Sequence, residues 1–139
     1  MIAIAATISH GGNAVRYSGN KDKAEIVKVN FLPDDISAEA MYQRMVLKQK
    51  EFASTINKGR PLKRNVIRME ISPTKEESAG WTLDDWVRLA NEYIQIFDSI
   101  DLSKKAKRAS AKCTNVRNSQ YIVALHHDAK SGIPHLHID

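Results

Sequence analysis

Two hydrophobic periodicities take turns along this chain, and their order restricts the folds open to it. "EIVKVNFL" (25–32) alternates apolar and polar residues, the period-two pattern of a half-buried strand, and Pro33-Asp34-Asp35 ends it. Ser37 then stands as an N-cap before a long helix. Met41, Met45, Lys48, Phe52 and Ile56 recur along one face of it until Gly59 and Pro61. "RNVIRMEI" (64–71) alternates again, setting Val66, Arg68 and Glu70 against Ile67, Met69 and Ile71. Thr82 and Asp85 resemble a capping box and open a second helix, with a core stripe of Trp86, Leu89, Ala90, Tyr93, Ile94 and Phe97. "SQYIVAL" (119–125) is a further strand, and Pro134 introduces a short last one over 135–139. The opening "MIAIAATI" reads as a first, largely buried strand.

The order is β, a short helical or loop element, β, α, β, α, β, β. It predicts an α+β domain, a mixed or largely antiparallel central sheet with helices packed on it. The 139 residues suffice for one domain (1–139) with a core that needs no disulfide or metal staple. Because the chain stops two residues after its last histidine, we expect it to be a fragment of a longer protein.

Charge narrows the partner. The net charge is +5 and the sequence pI is about 9.4. Lys58, Arg60, Lys63 and Arg64 crowd one connection. "KKAKRASAKCTNVR" places Lys104, Lys105, Lys107, Arg108, Lys112 and Arg117 together with no acidic residue among them. Such runs often merely face solvent, but two of them on a basic chain favour a polyanion such as nucleic acid. No apolar run reaches the ~20 residues of a membrane span, and the opening lacks the features of a secretory signal. Cys113 is the single cysteine, a bland free thiol that fits a cytoplasmic location.

The chemistry concentrates at "HHDAKSGIPHLHID" (126–139), which holds four of the five histidines. In a strand, residues two apart share a face, so His135 and His137 point together and Leu136 points away. A third imidazole from the preceding strand would complete a facial triad for a metal ion. His126 and His127 are the candidates, and only one of them can share that face. His10, after the first strand, reads as a loop residue. An open metal site on a basic domain suggests phosphodiester chemistry, with either a tyrosine or an activated water as nucleophile. Tyr93 and Tyr121 fall in packing positions and Tyr42 is ambiguous. Tyr17, in the polar, Gly-flanked "GGNAVRYSGNKDKAEI", is the best tyrosine candidate.

"YIVALHHDAKSGIPHLHID" resembles the third motif of plasmid mobilisation relaxases, the His-hydrophobic-His (HUH) endonucleases. "GNAVRYSGN" followed by "AEI" is similar to their tyrosine motif. "RNVIRMEISPTKEESAGWTLDDWVRLANEYIQIFD" is similar to the segment linking these motifs in Bacteroides-type mobilisation nucleases, so the likeness spans nearly the whole chain. It implies a relaxase-like fold related to the ferredoxin and palm folds. It implies Tyr17 as the nucleophile, His126, His135 and His137 as metal ligands, and Asp128 as the acidic residue of His-x-Asp. The chain departs from the family in a longer turn and in carrying histidine at the x position, which keeps His127 as the alternative to His126.

The function so implied is strand-specific nicking at an origin of transfer through a 5′-phosphotyrosine, for conjugative mobilisation. Mg or Mn suits the phosphate chemistry, with Zn, Co or Ni as alternatives on the all-histidine ligand set. The expected partners are single-stranded DNA, origin-of-transfer DNA and accessory mobilisation proteins, with Lys104, Lys105, Lys107 and Arg108 on the DNA. Three other functions use the same residues: a rolling-circle replication initiator, a catalytically inert metal-stabilised DNA-binding module, and a metal-dependent hydrolase using water.

Overall fold

The computed structural model describes residues 1–20, 22–55, 58–104, 112–127 and 129–139. In chain order they form β1 (Ile2–Ile8), α1 (Gly11–Ser18), β2 (Ala24–Asn30), α2 (Ala38–Thr55), β3 (Val66–Ser72), α3 (Leu83–Ser99), a 3₁₀ turn (Val116–Asn118), β4 (Tyr121–His126) and β5 (His135–Ile138). The strands make one antiparallel sheet in the order β1-β3-β5-β4-β2. The domain is α+β, with the three helices packed against this sheet.

Strand parity divides the core. One sheet face carries Met69, Ile71, Tyr121, Val123, Leu125, Leu136 and Ile138, and α3 lies across it with Trp86, Ala90 and Ile94 buried. Leu89, Tyr93 and Phe97 flank that stripe half-buried, as the helical spacing predicts. The capping box forms: the Thr82 hydroxyl accepts from the Asp85 N–H, and the Asp85 carboxylate accepts from the Thr82 N–H. The opposite face is shared. Ile122, Leu32, Val15, Met41 and Met45 form a smaller core under α1 and α2, and the rest of this face carries the histidines. A bulge between Ile26 and Lys28 in β2 lets Ile26 and Val29 both pack on this second core while Val27 packs on the first.

Ser37 does cap α2, its hydroxyl accepting from the Ala40 N–H at 3.1 Å. The stripe along α2 differs from the expected one. Met41, Met45 and Ala53 are buried, whereas Lys48 and Phe52 are exposed, and Ile56 lies outside the described residues. The helix packs through its first half on a small core, so its second half has little sheet beneath it. Strand β2 ends at Asn30 rather than running on to Leu32, because Phe31 adopts a positive φ of 53° and turns out into solvent.

The clearest correction concerns β1. Among the described residues it is an edge strand that pairs only with β3, and all of it but the half-buried Ile8 is exposed, with Ile2 and Ile4 at 67% and 60%. Apolar composition matched a buried strand, but burial needs a covering layer, and α1 and α3 meet the sheet chiefly at β2, β4 and β5, away from β1. β4 is the converse case: it is central, covered on both faces, and buried at all six positions. The described residues contain no helix long and apolar enough to cross a membrane.

Candidate metal centre and its tyrosine

Register brings the histidines together. His126 pairs with His135 across β4 and β5, and His137 pairs with Ala124 on one side and Glu70 on the other. His126, His135, His137 and Glu70 therefore lie on one face of adjacent strands, while His127 belongs to the other face. The His127 side chain is exposed and its backbone N–H donates to the Lys23 carbonyl. Of the two candidates, the geometry thus places His126 beside His135 and His137. Their ring centroids are 4.2 Å (His126–His137), 5.0 Å (His135–His137) and 5.4 Å (His126–His135) apart. Three imidazoles around one ion at ~2.1 Å would have centroids roughly 4.5–5.3 Å apart; the His135–His137 pair falls within that range, while His126 stands slightly closer to His137 and slightly farther from His135.

Burial and charge agree with that use. His126 is wholly buried, His137 nearly so, and the Nδ1 of His137 has no hydrogen-bond partner among the described residues. Burial first, then the neighbouring His126 and Arg68, pushes the His137 imidazole down to about 3. His137 is therefore neutral at physiological pH, the form that binds a cation. Its Nε2 lies 3.6 Å from a carboxylate oxygen of Glu70. That is too long for a hydrogen bond but close to the roughly 3–3.5 Å separating two donors on one ion. Donor atoms of Glu70, His135 and His137 all fall within 4.8 Å of one another, so these three form a potential metal-binding triad, with His126 stacked against it.

Tyr17 comes to this cluster from α1. Its ring stacks on His126 at 4.7 Å between centroids and lies 5.9 Å from His137. The "short helical or loop element" is a helix of eight residues, and two glycines let it sit this close. A Cβ on Gly11 would fall 2.3 Å from the Val66 side chain, and one on Gly19 would fall 2.2 Å from that of Ala38. Neither glycine has room for a side chain, so α1 rests directly on β3 and the start of α2. His10 precedes α1, and its carbonyl accepts from the Asn13 and Ala14 N–H groups.

Two cations approach the Tyr17 ring, Lys23 at 5.7 Å and the Arg68 guanidinium at 5.9 Å. Arg68 is held by a buried carboxylate: its Nε and Nη2 donate to the two Asp139 oxygens at 2.7 and 2.8 Å. Ser18, also buried, donates to Asp139 at 2.6 Å, and Arg68 Nη2 donates to the Ala14 carbonyl. Burial works against the charge on Arg68, but Asp139 outweighs it and holds the guanidinium pKa above its ordinary value.

Asp128, Lys105, Lys107 and Arg108 lie outside the described residues, whereas Lys104 is described and exposed. The other tyrosines pack. Tyr121 is buried with its hydroxyl accepting from Lys28, Tyr93 stacks on Phe97, and Tyr42 lies half-buried against α1 with its hydroxyl accepting from Asn65. Cys113 is an exposed free thiol. Glu70 and Arg68 are the members that sequence reasoning missed. Their common parity in "RNVIRMEI" was the available signal, but nothing in the sequence said that β3 would lie beside the last strand. No family model matches the sequence, and neither a curated protein nor a solved structure matches it either.

Proposed function

We propose that this chain is the catalytic domain of a mobilisation relaxase, which nicks one DNA strand at an origin of transfer with Tyr17 as its nucleophile. One observation carries the reading: among the described residues, the tyrosine in contact with the imidazole cluster is also the one in the polar segment after the first strand. His126, His135 and His137 would hold a divalent cation, Mg or Mn on this reading, with Glu70 beside them. Such an ion, when bound, offsets charge that builds on the phosphoryl oxygens during transfer.

The residues themselves divide the work. Stacking on His126 fixes the Tyr17 ring, so its phenol oxygen meets a phosphate at a set distance rather than by search. Tyr17 loses its phenolic proton and its oxygen bonds to phosphorus. The bond from phosphorus to the 3′ oxygen breaks, and that oxygen leaves as a 3′-hydroxyl after taking up a proton. The strand end remains as a 5′-phosphotyrosine, and attack by a 3′-hydroxyl on that linkage rejoins the strand. The bound partners are single-stranded and origin-of-transfer DNA, with accessory mobilisation proteins, in the cytoplasm.

The test is a covalent adduct. Incubation with single-stranded origin DNA and Mn²⁺ or Mg²⁺ gives a species that shifts on a denaturing gel, and Tyr17→Phe abolishes it. An undiminished adduct from Tyr17→Phe would sink the assignment, and cleavage without any adduct would point to water as nucleophile. Glu70→Gln removes the charged oxygen donor of the Glu70–His135–His137 group and lowers metal affinity by at least about 10-fold.

A further inference from the structure

We infer that Arg68 is the phosphate-binding arm of this site, offering the outer edge of its guanidinium to a phosphodiester lying between Tyr17 and the histidines. The inference rests on the reading of the site as one for phosphoryl transfer. An arginine carries five N–H donors in a planar fork. Here Nε and Nη2 are taken up by Asp139, Ala14 and Ser18, and among the described residues Nη1 has no partner. The side chain keeps 23% of its surface exposed while the carboxylate that holds it has none. The buried half is thus an anchor and the open half a presented edge.

Placement gives that edge its meaning. Arg68 stands two residues before Glu70 on the same face of β3, and its guanidinium carbon lies 5.9 Å from the centre of the Tyr17 ring. Its charge is also felt by His137. A bidentate pair whose only task was to tie β3 to Asp139 would gain nothing from keeping a donor edge beside a tyrosine. Burying ions for stability alone is seldom favourable, because desolvation consumes much of the attraction. Planar guanidinium is suited to phosphate oxygens, where two parallel N–H groups meet two acceptors. Asp139 neutralises most of the charge, so Arg68 acts through direction more than through long-range attraction. Ser18 and Asp139 are positioning residues that hold the fork at one angle.

Titrating inorganic phosphate into the ¹⁵N-labelled chain tests this directly, with the arginine Nε–Hε resonances as the readout. The Arg68 resonance moves saturably, while those of the exposed Arg16 and Arg88 move little. Arg68→Lys, which keeps the charge facing Asp139 but has no second edge, weakens phosphate binding by about tenfold and slows Tyr17 adduct formation. An Arg68→Gln/Asp139→Asn pair removes both charges together, so no buried ion is left unpaired, and it gives the same loss in a chain whose circular dichroism matches wild type. An unmoved Arg68 resonance, or wild-type phosphate affinity in either variant, overturns the inference. The two readings separate cleanly: a wild-type chain that binds phosphate through Arg68 but forms no adduct refutes Tyr17 and leaves Arg68 standing.

Discussion

His137 is where burial, charge and function meet in one side chain. An unfolded imidazole titrates near 6.5, while in the folded chain burial and the adjoining His126 and Arg68 hold this one down to about 3. Between those values the unfolded state takes up a proton that the folded state refuses. The His137 contribution to the unfolding free energy of the metal-free chain therefore falls as pH drops from about 6.5 toward 3, and levels off below. Urea midpoints at pH 7, 5.5 and 4.5 should decline, and His137→Asn should flatten that decline; an unchanged slope in the variant would mean that His137 is not the group responsible. Saturating Mn²⁺ or Zn²⁺ at pH 7 works the other way. At a hundred times the dissociation constant it adds about 2.7 kcal/mol to stability, and His135→Ala removes that gain in a thermal melt. Much of this was legible from residues: His-x-His parity gave two ligand candidates outright. The choice between His126 and His127 was not, because it depends on which of the two shares the face of the partner strand. Glu70 was invisible for the same reason, being one of sixteen acidic residues until register sets it opposite His137.

At the scale of elements, local signals were read well and neighbours poorly. The Thr82–Asp85 cap, the Ser37 cap and the stripe of α3 depend on residues within a few positions of each other, and all formed where the sequence placed them. β1 depends on what covers it, and hydrophobicity alone could not say that nothing in the described residues does. The contrast gives two predictions of different kind. Thr82→Ala removes an exposed cap and should cost about 1 kcal/mol without touching adduct formation. Gly11→Ala places a methyl group 2.3 Å from Val66, so α1 must lift from β3. That overpacking should cost about 1–3 kcal/mol and, because Tyr17 rides on α1, slow adduct formation as well. Denaturation curves beside the adduct assay distinguish the two: equal activity in both variants would mean that the seating of α1 does not position Tyr17.

Over the whole molecule the sheet keeps its apolar mass on one face, under α3, and divides the other between a small core and the polar site. That division follows from β5, where Leu136 and Ile138 point into the large core and His135 and His137 point away from it. A cluster of imidazoles, a carboxylate and an arginine can therefore sit on the central strands without interrupting the main core. The net charge of +5 then acts at longer range than any of these contacts. If the basic clusters guide a single strand toward Tyr17, affinity must fall as salt rises, because each neutralised phosphate releases counterions. For single strands the slope of log affinity against log salt is roughly −0.7 per phosphate contact. Reversing Lys104, Lys105, Lys107 and Arg108 to glutamate should flatten that slope by about two to three units if each meets a phosphate, and should weaken binding of any sequence alike. If Arg68 meets the phosphate as proposed, Arg68→Lys removes one anchored contact, so it should slow the adduct while shifting the salt slope by less than one unit. Fluorescence anisotropy of a labelled oligonucleotide, repeated from low to physiological salt, measures both. A slope unaltered by the fourfold reversal would remove segment 104–117 from the DNA path and leave attraction to the residues around Tyr17.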